Sequence, residues 1–294
     1  MKKLARKTFQ VLCVLAVLIC AAYLIVQWKV QSKASQRIQA PSFSMLEAMS
    51  KADLALGQRI VHVRSACVDC HGQDLAGKLV VDDPAMGTYY SANLTPSGLA
   101  AWSDDQIAAA IRYGVHRTNR SLMFMPSFDY VAMSQEDIAS IIVYLRSLPA
   151  VEKSVQKSVP GPMANVLHTL GKMPILLPAT SMDLSQGFAK KPDEGATLEF
   201  GRYLVQTSCI GCHGQELQGG TIAGGPPSWP EASDLRFAGV SKWTEASFIR
   251  TLKTGVSART GLALRPPMPM QYVRELNDME MQAMWLYLSS LQKH

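Results

Sequence analysis

The sequence predicts an all-α protein built from two similar helical units behind a single N-terminal membrane-spanning helix. Three observations lead there: an apolar run near the N-terminus, a long internal repeat, and helical rather than alternating hydrophobic spacing in both copies of that repeat. The length of 294 residues suits one large domain or two ordinary ones. With 48% hydrophobic and 18% charged residues, the chain is too apolar for disorder and too polar for a multi-span membrane protein.

The apolar run extends without a polar interruption from Val11 to Val26, and Phe9, Trp28 and Val30 lengthen it. With these ends it reaches the roughly 20 residues a spanning helix requires. Lys2, Lys3, Arg6 and Lys7 precede it, which keeps the N-terminus cytoplasmic, and Trp28 suits an interfacial anchor. Residues 1–30 hold +5 of the formal net charge of +6, leaving +1 for the remainder. The basic balance is thus a topology signal, and no nucleic-acid partner is expected. A cleaved signal peptide is the alternative, with Ser32-Lys33-Ala34 as a loose cleavage site, but that site lies well past the end of the run. Both readings export residues 31–294; the expectation is a single-pass anchor in a bacterial inner membrane with the body of the protein in the periplasm.

Of the six cysteines, Cys13 and Cys20 lie in the apolar run. The other four form Cys67-Val68-Asp69-Cys70-His71 and Cys209-Ile210-Gly211-Cys212-His213, two copies of the C-x-x-C-H attachment motif of c-type haem. The spacing sets both thiols on one side of a helical turn, where they can form thioethers with the porphyrin vinyl groups. The following imidazole is the proximal iron ligand. A redox dithiol has no use for that histidine. A structural zinc site needs closely grouped ligands, and these pairs lie nearly half the chain apart. The expected cofactors are two covalently bound haem c groups, attached at Cys67 and Cys70 and at Cys209 and Cys212, with His71 and His213 on the irons.

The repeat extends beyond the motifs. Trp102 with Trp243, Gly114 with Gly255, Met125-Pro126 with Met268-Pro269, and Tyr144-Leu145 with Tyr287-Leu288 all keep the offset of Cys67 from Cys209, give or take one position. This register selects the sixth ligands among 15 methionines, because Met125 follows His71 at almost the same distance as Met268 follows His213. Each is followed by proline, which stiffens the loop that presents the sulfur. Met123 is set aside on the same register, and Met270 remains the neighbouring alternative to Met268. His62, His116, His168 and His294 have no place in the repeat, although His116 precedes Met125 closely.

Helix starts are marked by Ser103-Asp104-Asp105-Gln106, Ser134-Gln135-Glu136-Asp137, Thr244-Glu245 and Asn277-Asp278-Met279-Glu280, and stops by Gly114, Gly255 and Pro149. No convincing alternating strand is visible. The expected organisation is an anchor at 1–30, a stalk at 31–50, haem units at 51–150 and 196–294, and a proline-rich join at 151–195 that packs across both units. Each unit is small enough to need its haem as part of the core.

These residues resemble a tandem class I cytochrome c. Ser91-Ala92-Asn93-Leu94-Thr95-Pro96, Trp102-Ser103-Asp104-Asp105, Gly114-Val115-His116-Arg117, Met125-Pro126 and Tyr144-Leu145-Arg146-Ser147-Leu148-Pro149 are similar to the membrane-bound multihaem cytochrome subunits of bacterial alcohol, gluconate and related dehydrogenases. The second unit departs from that pattern at Ser233-Asp234-Leu235 and Ser257, and the chain has two motifs where those subunits typically carry three haems. The resemblance implies two cytochrome c domains, an electron carrier, and a carbonyl near Pro84 or Pro226 accepting the His Nδ1–H, with an ordinary turn as the alternative role of these prolines.

His/Met ligation leaves no vacant iron site and suits electron transfer from a dehydrogenase or quinol-oxidising complex toward a terminal oxidase. Two other classes compete: a haem subunit of a larger respiratory complex such as a cbb3-type oxidase, and a dihaem peroxidase, which needs one haem to open. Residues 51–150 net −2 and residues 196–294 net +1, too little for a steering argument.

Overall fold

The computed structural model describes residues 2–222, 225, 228–236 and 243–291. A helix α1 (Lys2–Ser35) leads into the first unit, formed by α2 (Leu46–Ser50), α3 (Leu54–Arg59), α4 (Cys67–His71), α5 (Pro96–Leu99), α6 (Asp104–Tyr113) and α7 (Gln135–Ser147). A further helix α8 (Pro162–Thr169) lies between the units. The second unit holds α9 (Leu198–Ser208), α10 (Ile210–His213), α11 (Glu245–Thr254), α12 (Met270–Val273) and α13 (Asp278–Ser290). Pro226 and His294 lie outside the described residues.

The caps follow the sequence. Ser103 accepts from the Gln106 N–H while the Gln106 side chain accepts from the Ser103 N–H, and α6 ends at Gly114 with φ +64°. Thr244 and Ser247 close the same box on α11, which ends at Gly255 with φ +71°. Ser134 caps α7, and Asn277 with Glu280 boxes α13.

Each unit is held by a crossing of two helices at a glycine, α3 with α7 in the first and α9 with α13 in the second. A Cβ at Gly57 would overlap the Ser140 carbonyl, and one at Gly201 would overlap the Ala283 carbonyl, so only glycine lets α3 approach α7 and α9 approach α13. Around these crossings lie two apolar cores. One gathers Ile60, Val61, Ile107, Ile138 and Ile142; the other gathers Phe200, Leu204, Leu252, Met281 and Leu288.

The mostly helical prediction holds, but two small sheets correct the expectation of no strand. β1 (Leu79–Asp83) and β2 (Gly87–Tyr90) form an antiparallel hairpin, extended by β5 (Val159–Pro160); β3 (Val115–His116) pairs with β4 (Arg120–Ser121). The first hairpin closes at Pro84, where Asp83 Oδ1 accepts from the Ala85 and Met86 N–H groups. Its third strand comes from beyond α7, a pairing that no local pattern announces.

The segment after α7 also contains a helix that its composition hides. Pro162 sits in the first turn of α8 and Gly161 precedes it. Ala164, Met173, Leu176 and Leu177 of this segment bury themselves with Tyr89 of β2 and Val30 of α1, and Ala34 and Phe124 pack against them. Further on, Ile38 packs with Ala109, Tyr113, Val115 and Ala179. The C-terminal end of α1 is therefore docked on the first unit, the helix runs past the expected span to Ser35, and residues 36–45 run along that unit.

Candidate functional site

The two C-x-x-C-H motifs fold alike. Each forms one helical turn stopped by glycine in the left-handed region, Gly72 at φ +86° and Gly214 at φ +83°. The chain then doubles back. The Gly77 N–H donates to the His71 carbonyl at 2.9 Å, and the Gly219 N–H donates to the His213 carbonyl at 2.8 Å. Leu75 and Leu217 share φ +56° and bury their side chains, so the repeat extends to the backbone conformation.

Both motif histidines are 9% exposed. The His71 Nδ1–H donates to the Ala92 carbonyl at 2.9 Å, and the His213 Nδ1–H donates to the Ser233 carbonyl at 2.8 Å. A carbonyl only accepts, so the proton is on Nδ1 and Nε2 is the nitrogen left for a metal. Burial pushes both imidazoles down, against the opposing pull of the carbonyl bond, which keeps them neutral. The acceptors correct the expectation attached to Pro84. That proline turns the β1–β2 hairpin, and the bond is made at Ala92, just before Asn93. Ala92 and Ser233 are separated by the same offset as Trp102 and Trp243, so the repeat itself marked them.

No disulfide joins the four motif cysteines. Burial, with a smaller effect of the neighbouring thiol, pushes Cys67 and Cys209 up to about 12. A redox dithiol needs a lowered thiol, so these surroundings argue against that chemistry. They suit thiols held in an apolar wall beside a large planar group: Cys67 packs against the core that also holds Leu94, Trp102 and Tyr130, and Cys209 against that of Leu235 and Trp243.

Met125 and Met268 are partly buried and occupy matching places in the backbone pattern. The Ser127 N–H donates to the Met125 carbonyl and the Met270 N–H to the Met268 carbonyl, both at 2.9 Å. Upstream, the Leu122 N–H donates to Gly114 O at 2.6 Å and the Leu264 N–H to Gly255 O at 2.7 Å. Met270 thus matches Ser127. Both are buried beside the glycine that ends the preceding helix. The other histidines are committed elsewhere. His62 Nε2 bonds the Tyr144 hydroxyl at 2.7 Å, His116 bonds Thr118, and the His168 Nδ1–H donates to Met173 O at 3.0 Å.

Sequence reading missed how the two units meet. Asp129 and Tyr272 each stand one helical turn after the selected methionine, and each reaches the third position of the other unit's motif. The Tyr272 hydroxyl donates to Asp69 Oδ1 at 3.2 Å, and the bare backbone of Gly211 leaves room for the Asp129 carboxylate. Burial raises the Asp129 carboxyl to about 7. It also pushes Tyr130 well up, with the nearby Cys67 thiol adding to the effect.

Further out the same reciprocity recurs. Arg59 and Tyr203 stand at matching places just after the two crossing glycines. Each bonds the carboxylate in the first turn of the opposite unit's last helix. The Tyr203 hydroxyl donates to Asp137 Oδ2 at 2.7 Å, and Arg59 Nε donates to Glu280 Oε1 at 2.9 Å. Arg64 Nε adds a 2.6 Å bond to Glu280, which is fully buried. Burial alone would raise Glu280, but bonds from Arg59, the Asn277 N–H and Arg64 outweigh it and hold the carboxyl below its usual range. The units thus pack about a pseudo-two-fold axis. The only signal for it in the sequence was the repeat, whose paired positions carry complementary residues.

Comparison with known proteins agrees with the geometry. The family described as cytochrome c oxidase, cbb3-type, subunit III matches residues 52–145, and the cytochrome c family matches residues 198–292. A nicotinate dehydrogenase subunit of Pseudomonas putida is 29% identical over 83% of this chain and 22% of its own length. The fructose dehydrogenase cytochrome subunit of Gluconobacter japonicus is 26% identical over 78% of this chain and 51% of its own length. The gluconate 2-dehydrogenase cytochrome c subunit of Pantoea cypripedii is 31% identical over 58% of this chain and 41% of its own length. The chain spans about half or less of the length of these relatives. Two cytochrome c domains imply two haem c sites, and the neutral, oriented histidines fit them. The chain carries two cytochrome c-type domains in tandem and is homologous to the cytochrome c subunits of dehydrogenases.

Proposed function

We propose that this chain is a membrane-anchored electron-transfer subunit that takes electrons from a dehydrogenase and passes them toward a respiratory acceptor. When bound, haem supplies an iron that gains and loses single electrons. Cys67 and Cys70, and Cys209 and Cys212, would hold the haems as thioethers; His71 and His213 would bind the irons through Nε2, and Met125 and Met268 would supply the other protein ligands. The carbonyls of Ala92 and Ser233 hold each imidazole in the ligating tautomer. The reading rests on one observation above all: the same buried histidine, bonded in the same way, occurs in both units behind one span-length apolar helix. The match of Met268 to Met125 in backbone pattern supports it over Met270.

The docking of Val30, Ala34 and Ile38 supports the uncleaved anchor, since cleavage at Ser32-Lys33-Ala34 would remove Val30 from a buried cluster. The positive N-terminus supports a cytoplasmic start and periplasmic domains in a bacterial inner membrane. An oxidase subunit is the second reading, favoured by the family matched at residues 52–145. The relatives that span both units favour the dehydrogenase.

Expression with c-type maturation, followed by a pyridine haemochrome assay and intact mass, tests the site. Two haems per chain are expected, and one each in Cys67→Ala/Cys70→Ala and Cys209→Ala/Cys212→Ala. A full haem count in either variant would refute the assignment. Co-purification from solubilised membranes separates the two partners: a dehydrogenase is expected, and a cbb3-type oxidase in its place would favour the second reading.

A further inference from the structure

We propose that the recess lined by Arg37, Arg117 and Arg120 binds the phosphate of an anionic phospholipid headgroup and seats the first unit on the membrane beside its own anchor. The site is an open recess of about 450 Å³, also lined by Thr118 and Asn119. Two chain segments meet in it. Arg37 comes from the stretch just after α1, while Arg117 and Arg120 come from the β3–β4 hairpin. The Ile38 N–H donates to the Asn119 carbonyl at 2.8 Å and ties them together. All three arginines are exposed, and among the described residues none is paired with a carboxylate. A planar guanidinium fork matches phosphate oxygens, and three of them around one recess suit a single phosphodiester.

The anchor decides why the phosphate is a lipid's. Trp28 marks the membrane interface, and α1 continues from there to Ser35, roughly 10 Å at helical rise. The headgroup layer is about 5–7 Å deep, and an arginine at position 37 reaches back across the difference with its long side chain. The rigid seat of Val30, Ala34 and Ile38 on the first unit fixes which face looks down. Helix α8 packs along α1 with Met163 and Leu170 exposed, 49% and 66%.

The charge is segregated in the same way. Residues 27–46, 115–122 and 162–182, which converge at this end of α1, carry Lys29, Lys33, Arg37, Arg117, Arg120 and Lys172 and no carboxylate. Five of these six follow residue 30, where the chain nets only +1, so everything else beyond residue 30 nets −4. An anionic bilayer attracts this end and repels the rest.

The proposal rests on α1 as a membrane span. Alkaline carbonate extraction tests that separately: release of the chain from membranes removes the span, whereas a retained chain without lipid preference removes only the recess. The full-length, haem-loaded protein in neutral detergent is offered equimolar phosphatidylglycerol and phosphatidylcholine with identical acyl chains, and retained lipid is read by native mass spectrometry. One phosphatidylglycerol is expected at least about fivefold over phosphatidylcholine. The preference falls to near unity in Arg37→Gln/Arg117→Gln/Arg120→Gln, with the haem spectrum unchanged, and by at least half in Arg120→Gln alone. Retention of the full preference in the triple variant overturns the proposal, as does its loss on neutralising Lys2, Lys3, Arg6 and Lys7 instead. Displacement of phosphatidylglycerol by inorganic phosphate at equal concentration also overturns it, leaving a free-phosphate site.

Discussion

Replacing Glu280 with glutamine separates the charge at the unit interface from everything else that residue does. Glu280 is fully buried, bonds Arg59 and Arg64 of the other unit, and accepts from the Asn277 N–H at the start of α13. Glutamine keeps the capping bond, because Gln serves at that position of a capping box as Glu does. The change therefore leaves Arg64, only 4% exposed at its side chain, facing a neutral amide. Removing one partner of a buried ion pair costs about 3–5 kcal/mol. Arg64 keeps its bidentate bonds to Glu194 at 3.0 and 3.1 Å, and Arg59 is 29% exposed, so the lower end, about 3 kcal/mol, applies. That corresponds to a loss of melting temperature on the order of 10 °C for domains of this size. Scanning calorimetry of the haem-loaded chain at pH 7 reads it. The pH dependence is a second signature. Because the folded carboxyl lies below its unfolded value, its stabilisation is full above the unfolded range and fades as pH falls through the folded one. The gap between the parent and Glu280→Gln should narrow at acid pH. A shift below about 2 °C at pH 7, or a gap that widens toward acid, would refute the view of Glu280 as the charged pivot of the interface.

Other expectations can be checked with the same preparation. Gly201→Ala puts a methyl into the Ala283 carbonyl and should cost upward of about 3 kcal/mol, seen as loss of the second haem's protected spectrum at a temperature where the first survives. Met268→Leu should abolish the long-wavelength Met–Fe(III) charge-transfer intensity of one haem, while Met270→Leu lowers stability and leaves that band intact; the reverse outcome exchanges their roles. Asp129→Asn should stabilise the protein most at pH 8, where the folded carboxylate is charged and buried, and do little at pH 4, near the unfolded carboxyl's own value of 3.8, where both folded and unfolded chains carry the proton. Equal melting gains at both pH values would show that burial is not the cause.

The parts of this molecule legible in the sequence are those written in local chemistry. The C-x-x-C-H pentapeptides announce the haem sites. Ser103, Ser134, Thr244 and Asn277 start helices because a side-chain oxygen beside orphan N–H groups acts within one turn. The hidden parts are set at a distance. Val159 joins a sheet because Gly87 leaves no Cβ in its way, and α8 forms in a proline-rich stretch because its apolar face meets α1 and β2. The Ala92 carbonyl eluded a reading anchored on Pro84 because a backbone acceptor has no side-chain signature. Only its offset from Ser233 could have exposed it.

The duplication is more than two beads on a string. A tandem of independent units would leave the third position of each motif and the turn past each methionine to solvent. Instead these positions meet across the pseudo-axis, and they meet as different pairs. Tyr272 bonds Asp69 on one side, whereas on the other a glycine makes space for the Asp129 carboxyl, which burial pushes up. At the outer contact Arg59 faces Glu280 where Tyr203 faces Asp137, a charged pair matched by a neutral–anionic one. Identical halves would give two equivalent sites with no reason for charge to favour either. Here the repeat supplies the scaffold and the divergence of its paired positions supplies the difference, so each site feels a distinct electrostatic field from the other unit. The asymmetry of the interface lies in its inner pairs, Asp69 with Tyr272 against Gly211 with Asp129, and in its outer pairs, Arg59 with Glu280 against Tyr203 with Asp137.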